Sequence, residues 1–465
     1  MTAPRSEFRL GWKTLLAATL GVACGGSPLA FNTIGFFMGP IHQEFGWSFG
    51  QISLAVTIMG VTAALLAPLY GWLADRYGVR PVALVSLAIY GLIFASFALK
   101  PAWLPGFYAF WFVLGLIAIG STPVTWTRGV NLWFFRSRGL ALGLTLAGTS
   151  LAAIVLPTLT VWSIGEFGWR LTFPVLALLP LLVALPVGIA FFREPRPEEM
   201  PPEIAQIRAF RSARAAATSQ TGAAASADAA AGARAPAEHS RLPGLTLAEA
   251  MRTRQFWLIF GTIGLFALAY GGVHVHLAQM VQGKGYTPAQ AAGLVGILGL
   301  ATLAGRIVAG WLLDRVWAPL VCLPFLSLPA FAAWVLMSDV TAWGLLVVSA
   351  LCLGLASGAD DLIAYLAARY FGMRHYGKIY GSIYLSFGVC AAASPAIFGT
   401  ARDVYGGYDE ILLVAMGLYL IAAVMPLALG RYPDQDDRDG GLDADAEEAA
   451  DVAGGAPPAR PAAAG

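Results

Sequence analysis

Charged residues are scarce in this sequence, and their scarcity is the first constraint on its structure. Only 12% of the 465 residues are Asp, Glu, Lys or Arg, and 58% are hydrophobic. Soluble globular chains carry about 25% charged residues. A chain with a mean hydropathy of +0.68 cannot cover itself with polar surface, so lipid must be the solvent for much of it. The formal net charge of +2 gives no reason to expect a nucleic-acid partner.

The sequence also lacks paired cysteines and catalytic motifs. Four cysteines lie in apolar segments without a C-x-x-C spacing, which predicts buried free thiols and not disulfides or metal ligands. They are Cys24, Cys322, Cys352 and Cys390. No G-x-S-x-G, H-E-x-x-H or phosphate-binding P-loop is present. We therefore predict a protein that is not an enzyme and that needs no cofactor and no metal.

Long apolar segments make up most of the chain, and twelve of them are long enough to cross a membrane as helices. They fall near residues 14–39, 50–72, 80–99, 103–128, 138–163, 171–192, 255–281, 288–313, 317–337, 341–368, 376–401 and 408–430. Six lie in each half of the chain. This arrangement predicts an all-α membrane protein with twelve transmembrane helices in two six-helix bundles, 1–193 and 255–432.

Two segments outside these spans have no apolar period. Residues 194–254 connect the halves and are rich in Ala, Ser, Gly and Thr in their middle part, which predicts a cytoplasmic, mostly disordered linker. Near its end, Leu245–Met251 is predicted to form a short interfacial helix. Residues 433–465 are acidic and rich in Ala, Gly and Pro, which predicts a disordered tail.

Lysine and arginine are distributed unequally between the two membrane faces. If both termini are cytoplasmic, the exterior loops hold only Lys100, Arg170, Lys284 and Arg402. Nearly all other Lys and Arg then flank cytoplasmic ends, which predicts this orientation in the cell inner membrane. The expected partners are the lipid bilayer and a small-molecule substrate, and we expect a monomer.

A polar turn between the second and third spans carries the most specific pattern. Residues 71–81 read GWLADRYGVRP, in which Gly71 permits close helix approach, Asp75 can cap or pair at a helix end, and Gly78 permits the reversal. Part of this pattern returns about 240 residues later as GWLLDR at 310–315. Two copies at matching places predict a duplicated six-helix unit.

These stretches resemble the loop between helices 2 and 3 of the major facilitator superfamily, G-x-L-a-D-R-x-G-r-r. Residues 131–143 (NLWFFRSRGLALG) and their counterpart 369–381 (RYFGMRHYGKIYG) look like the superfamily's monocarboxylate-transporter-like bacterial branch. The resemblance implies a secondary carrier of a small organic anion that works by alternating access. It also implies a cytoplasmic gate, for which the expected residues are Asp75, Arg76, Asp314 and Arg315.

An arginine within a span is the first candidate for the substrate site. Arg306 lies four residues before Gly310, where relatives of this branch carry an arginine that pairs with the substrate carboxylate. A guanidinium suits that contact because its planar fork donates two parallel hydrogen bonds and stays charged. The alternative is a structural arginine bonded to carbonyls or to an aspartate. Arg128, in the span 103–128, is the second arginine candidate.

Carboxylates within a span are costly in hydrocarbon and usually face a cavity or each other. Asp360 and Asp361 are the two that we place there. Neighbouring residues on a helix differ by 100° in direction, so one would face the pore as a proton carrier and the other a neighbouring helix. The alternative is a permanent ion pair with Arg128 or Arg369.

Weaker substrate-site candidates are polar groups in apolar spans, namely Asn32, Tyr270 and Tyr365. His274 and His276 point to opposite helix faces and are a poor chelate, so an exterior-facing histidine is the favoured interpretation. The branch's helix-1 lysine is absent, and Thr302 stands where its transporters have an aspartate. Two alternatives therefore stay open: a carrier or exporter of a neutral or cationic molecule, and a non-transporting sensor with the same fold.

Overall fold

The computed structural model describes residues 7–99, 103–134, 137–195, 244–313, 315–339, 341–357, 362–372, 374–430 and 432. Ten helical segments in these ranges are long and apolar enough to cross a membrane. One of them, Gly139–Phe191, contains Gly168 with a left-handed φ of 76° and therefore holds two spans. A shorter apolar helix, Trp343–Ser357, adds a further crossing segment. The helices are consistent with the twelve predicted spans.

The first bundle consists of the helices that precede the linker. They are α1 (Glu7–Phe45, interrupted between Ala23 and Gly26), α2 (Phe49–Tyr77), α3 (Val79–Ser96), α4 (Leu104–Val130, with a 3-10 turn at Ile119–Ser121), α5 (138–167) and α6 (169–191). Aromatic rings fill its centre: Phe173 of α6 stacks on Phe37 of α1 at 4.3 Å and lies 5.1 Å from Phe94 of α3, measured between ring centroids.

The second bundle repeats this arrangement. Its helices are α7 (Arg254–Gly283), α8 (Pro288–Leu313), α9 (Ala318–Met337), α10 (Trp343–Ser357 and Leu362–Phe371), α11 (Tyr376–Tyr405) and α12 (Asp409–Val424, continued by a 3-10 turn at Met425–Leu429). Each bundle has its own cluster of buried apolar side chains. The four cysteines are free thiols, as predicted, but only Cys24 and Cys322 are buried, whereas Cys352 and Cys390 are partly exposed.

The duplication is visible in matching details of the two bundles. Ser48 and Gln51 form a capping box at the start of α2, and Thr287 and Gln290 form the same box 239 residues later at the start of α8. The turn after α11 uses Gly406 at φ 78°, which lies 238 residues after Gly168 at φ 76°. Positive φ favours glycine. The repeat predicted from the two turn motifs therefore extends to helix starts and ends.

A short helix is present at Leu247–Met251, within the stretch Leu245–Met251 where one was predicted, and its interfacial position stays a prediction. Its Thr246–Glu249 capping box holds the pKa of the Glu249 carboxyl below its usual range, chiefly through the hydrogen bond from the Thr246 backbone. The Leu245 N–H donates to the Phe371 carbonyl at 2.8 Å, which attaches this segment to the second bundle. Residues 196–243 and the predicted tail lie outside the described residues, so the predicted domain boundaries stay a prediction.

Candidate functional site

Helices of the two bundles pair across a central space: α1 with α7, α2 with α11, and α5 with α8. The motif side is the end of the helices at which residues 71–81 lie, and the opposite side is the end at which residues 46–48 lie. All three pairs are in contact toward the opposite side, and the α2–α11 and α5–α8 pairs separate toward the motif side. The packing around glycines shows these contacts and separations.

The α2–α11 pair touches through small residues toward the opposite side. A Cβ on Gly399 would lie 2.7 Å from the Phe49 carbonyl oxygen, and one on Gly60 would lie 2.7 Å from the Ala392 Cβ. Gly71 lies eleven residues after Gly60, about three turns, and so on the same face of α2. Among the described residues, no heavy atom lies within 4 Å of a Cβ built on Gly71. The two helices therefore diverge toward the motif side.

The α5–α8 pair diverges in the same way. A Cβ on Gly299 would lie 2.8 Å from the Ala153 Cβ and 3.0 Å from the Ser150 carbonyl oxygen. Gly310 lies on the same face three turns further along α8. A Cβ there would meet nothing within 4 Å in the described part of the chain. The space between the bundles is thus open to the motif side.

The α1–α7 pair completes the closure at the opposite side. The Gln279 side-chain amide of α7 donates to the Gly35 carbonyl of α1 at 2.7 Å. A Cβ on Gly35 would lie 2.5 Å from the Val275 carbonyl oxygen, so the two backbones cross in close contact. Together, the three pairs close the opposite side of the space between the bundles, and we call this space the cavity.

Arg306 lies on the face of α8 that borders this cavity. It follows Gly299 by seven residues, which returns it to within about 20° of the face that contacts α5. The preceding residue, Gly305, packs against the Leu355 carbonyl of α10, where a Cβ would be 2.5 Å away, and this contact fixes the α8 backbone. Helix geometry therefore places Arg306 on the side of α8 that faces α5.

Two donor atoms of Arg306 lack an acceptor. Its Nε and Nη1 are buried, and neither has a hydrogen-bond partner within the described ranges. A buried donor without an acceptor costs about 1–3 kcal/mol, and more when the group is charged. An anionic ligand held between α8 and α5 would satisfy both donors. This is the chemistry expected of a carboxylate site.

The other predicted arginine, Arg128, lies near the motif-side end of α4. Its Nη1 donates to the Gly71 carbonyl of α2 at 3.2 Å, so it joins two helices of the first bundle. Asp360 and Asp361, predicted as proton carriers and as possible partners of Arg128, lie outside the described residues. The predicted substrate contact of Arg128 stays a prediction.

The predicted gate residues lie at the motif-side ends of α2 and α8. The Arg76 guanidinium lies 5.6 Å from the Trp72 ring, and that of Arg315 lies 4.3 Å from the Trp311 ring. Both tryptophans are exposed, as expected for residues at a membrane interface. Asp75 belongs to the last turn of α2, but its side chain and all of Asp314 lie outside the described residues. The gate therefore stays a prediction.

Asn32 is buried in the middle of α1. Its Nδ2 donates to the Pro28 carbonyl one turn earlier at 2.8 Å. Its Oδ1 is buried and accepts no hydrogen bond from any described residue. Asn32 thus offers an acceptor, whereas Arg306 offers donors, and its substrate contact stays a prediction.

The two predicted tyrosines pack within the second bundle. Tyr270 stacks with Phe266 at 5.6 Å between ring centroids, and Phe266 in turn contacts Tyr419 of α12. Tyr365 lies beside Arg369, whose guanidinium also lies 4.7 Å from the Tyr432 ring. These neighbours are other parts of the same bundle, and a substrate contact of either tyrosine stays a prediction.

The exterior-facing position favoured for the histidines is wrong for His276, which is fully buried between the bundles. Its Nε2 lies 3.0 Å from the Pro395 carbonyl oxygen and 3.1 Å from Ser53 Oγ, and its Nδ1 lies 2.9 Å from the Tyr408 hydroxyl. Since a carbonyl only accepts, Nε2 carries the proton and Nδ1 accepts from Tyr408. This residue connects α2, α7 and α11, which its sequence position did not predict.

Comparisons with known proteins agree with this architecture. The family described as Major Facilitator Superfamily matches residues 20–395. Human monocarboxylate transporter 11 is 24% identical over 442 residues, covering 90% of this chain and 83% of that protein. The bovine monocarboxylate transporter 13 is 25% identical over 426 residues, with 89% and 87% covered. The niacin transporter NiaP of Acinetobacter baylyi is 24% identical over 411 residues, with 85% and 89% covered.

A solved structure shares the fold at low sequence identity. It is a bacterial homologue of the human lysosomal transporter Spinster, described as inward-facing and unoccupied. The TM-score is 0.64 at 17% identity, and the alignment covers 93% of this chain and 100% of that one.

Proposed function

Because this chain belongs to the major facilitator superfamily of multi-pass membrane transporters, we propose that it is a secondary active carrier of a small organic anion. The proposed cargo is a carboxylate, and the proposed mechanism is alternating access. The observation that carries the proposal is that Nε and Nη1 of Arg306, on the cavity face of α8, are buried and have no acceptor among the described residues. A charged donor pair of this kind suits an anionic ligand.

The names of the relatives support the same substrate class. Two are called monocarboxylate transporters and one a niacin transporter. Niacin is itself an aromatic acid with one carboxylate. The shared chemical feature of these cargoes is a single negative carboxyl group, which matches a site with one arginine.

Orientation and energy coupling complete the proposal. The Lys and Arg asymmetry supports an inner-membrane protein with the motif side in the cytoplasm, so the structure described here would be open to the inside. We propose protons as the coupling ion, with Asp360 or Asp361 as carrier, on the basis of their place in the sequence. Asp→Asn at the coupling position should abolish uptake driven by a pH gradient and spare exchange. If both single variants still accumulate substrate, the proton route lies elsewhere.

Counterflow in proteoliposomes tests the substrate class. Liposomes containing the purified full chain would be loaded with a carboxylate and assayed for entry of the labelled compound, with the neutral amide of each acid as the matched control. We expect entry for at least one acid and none for its amide. Entry of amides or amines without entry of any acid would contradict the proposal and favour a carrier of neutral or cationic molecules.

A further inference from the structure

The first turn of α2 is capped by a residue of the other bundle. An α-helix begins with four N–H groups that have no partner inside the helix. The capping box of Ser48 and Gln51 satisfies two of them. The other two, on Phe49 and Gly50, donate to the two carboxylate oxygens of Asp403 in α11, at 3.0 and 2.6 Å. A carboxylate at this position also interacts favourably with the positive end of the helix dipole.

Neighbouring contacts strengthen this junction. The Arg402 guanidinium lies 3.3 Å from the centroid of the Phe49 ring, also between α11 and α2. One turn further along α2, Ser53 contacts the buried His276. Charged and polar side chains of the second bundle therefore hold the first two turns of α2 from several directions.

No described residue of α5 caps the start of α8 in the duplicated junction. Counted from the left-handed glycines Gly168 and Gly406, the residue of α5 that corresponds to Asp403 is Gly165. At the start of α8, the residue that corresponds to Phe49 is Pro288, which has no N–H to donate. A carboxylate near the start of α8 would therefore accept fewer hydrogen bonds than Asp403 does at α2. The sequence has no carboxylate at the position of α5 that corresponds to Asp403.

We propose that Asp403 is the carboxylate latch of the closed opposite side, and that the carrier has this latch at the α2–α11 pair and not at the α5–α8 pair. The proposal rests on alternating access, which is part of the proposed function. Opening the opposite side would pull Phe49 and Gly50 away from Asp403 and leave their N–H groups to water. The latch therefore favours the state that is open to the motif side.

Hydrogen–deuterium exchange of the full chain in nanodiscs tests the latch without a known substrate. Asp403→Asn removes the charge at an exposed position and should not prevent folding. Matched controls are Asp409→Asn, an exterior carboxylate whose charged neighbour is Lys284 of the same bundle, and Glu166→Gln near the end of α5. The informative peptides cover residues 52–60 of α2 and 388–398 of α11. They lie further toward the motif side than the Phe49 and Gly50 amides, which contact Asp403 directly.

We expect Asp403→Asn, which loses the charge and one of the two acceptor oxygens, to speed exchange in these deeper peptides by roughly tenfold, the factor that corresponds to ~1.4 kcal/mol. Both controls should exchange like wild type. Faster exchange limited to Phe49 and Gly50, or an equal effect of a control, would overturn the latch. If the amides at the opposite-side contact of the wild-type protein never exchange on any accessible timescale, alternating access is overturned as well. The failure of the latch and the failure of the proposed function are therefore distinguishable.

Discussion

The α2–α11 and α5–α8 pairs come from the same duplicated unit, and they differ in what they carry. Both begin at matching capping boxes, touch through glycines and diverge toward the motif side. The α2–α11 pair carries Asp403 at its closed end. The α5–α8 pair carries Arg306, which lies on α8 between the contact at Gly299 and the separated position at Gly310. The corresponding residue of α2, 239 positions earlier, is Ala67. Duplication thus supplied one backbone twice, and substitution gave one pair the proposed latch and the other the proposed ligand-binding cation.

The largest effect should come from removing the cation of the α5–α8 pair. Arg306→Gln should reduce the apparent affinity in carboxylate counterflow about a hundredfold, since two charge-assisted hydrogen bonds of ~1.5 kcal/mol each would be lost. Arg306→Lys keeps the charge without the planar fork and should lose affinity severalfold. Arg252→Gln, which changes an exposed arginine just before α7, is the matched control and should transport normally. An equal loss in both Gln variants would show that Arg306 has no special role.

The next effect concerns the motif side, where Gly71 and Gly310 meet no described residue of the partner helices. Asp75→Asn should reduce the transport rate about tenfold, on the assumption that one charge-assisted contact of ~1.5 kcal/mol forms when this side closes. Binding and the amount of protein in the membrane should stay unchanged. Transport assays and binding to the same purified preparation check this. Wild-type transport by Asp75→Asn would remove the predicted gate from the account.

The feature that the pairs share is the close approach at glycine. Gly399→Ala and Gly299→Ala should each lower the thermal stability, because the new Cβ would lie within 2.8 Å of an atom of the partner helix and overpacking costs about 1–3 kcal/mol. Gly293→Ala, where a Cβ would meet nothing within 4 Å among the described residues, should be stabilising because Ala favours the helix by ~0.5–1 kcal/mol. Thermal unfolding in detergent compares the three variants.

The outcome that contradicts this comparison is specific. If Gly399→Ala and Gly293→Ala shift the unfolding temperature in the same direction, the α2–α11 contact does not limit the space at Gly399. The packed arrangement of that pair would then differ from the one described.

The smallest effects should come from the Arg–Trp contacts, because α2 and α8 each carry one and the two helix pairs do not differ in this feature. Arg76→Gln and Arg315→Gln should each lower the free energy of unfolding by about 0.5–1 kcal/mol, the usual value of an exposed cation–π contact. In Trp72→Leu protein, Arg76→Gln should cost less than in wild type, with the remainder due to the Tyr77 ring 5.7 Å from the Arg76 guanidinium, and a double-mutant cycle measures the difference. A full-sized loss in that background would mean that Arg76 acts through another partner.

The sequence predicted the helices well because each signal lies within one short stretch. The apolar runs predicted the spans, the stretch Leu245–Met251 predicted a short helix, and the spacing of the cysteines predicted free thiols. The sequence also identified Arg306 as a candidate site residue, because it lies within an apolar span and most other charged residues do not. All these inferences need only local composition and spacing.

Contacts between the bundles could not be predicted in the same way. Asp403 meets Phe49 across 354 residues of sequence, and neither position carries a pattern that names the other. His276 and Tyr270 lie on helices that are apolar all round, so periodicity does not tell which face meets the core, the cavity or the other bundle. The only local sign of the latch was the capping box at Ser48, which leaves two N–H groups for a partner.

The central claim is that Arg306 binds a carboxylate, and the most direct test compares an acid with its amide on purified protein. Isothermal titration would give the affinity of wild type and of Arg306→Gln for a transported acid and for the neutral amide of that acid. The account predicts that wild type prefers the acid by about a hundredfold and that Arg306→Gln loses this preference. A variant that still prefers the acid as strongly as wild type would contradict the claim and make Arg306 a structural residue.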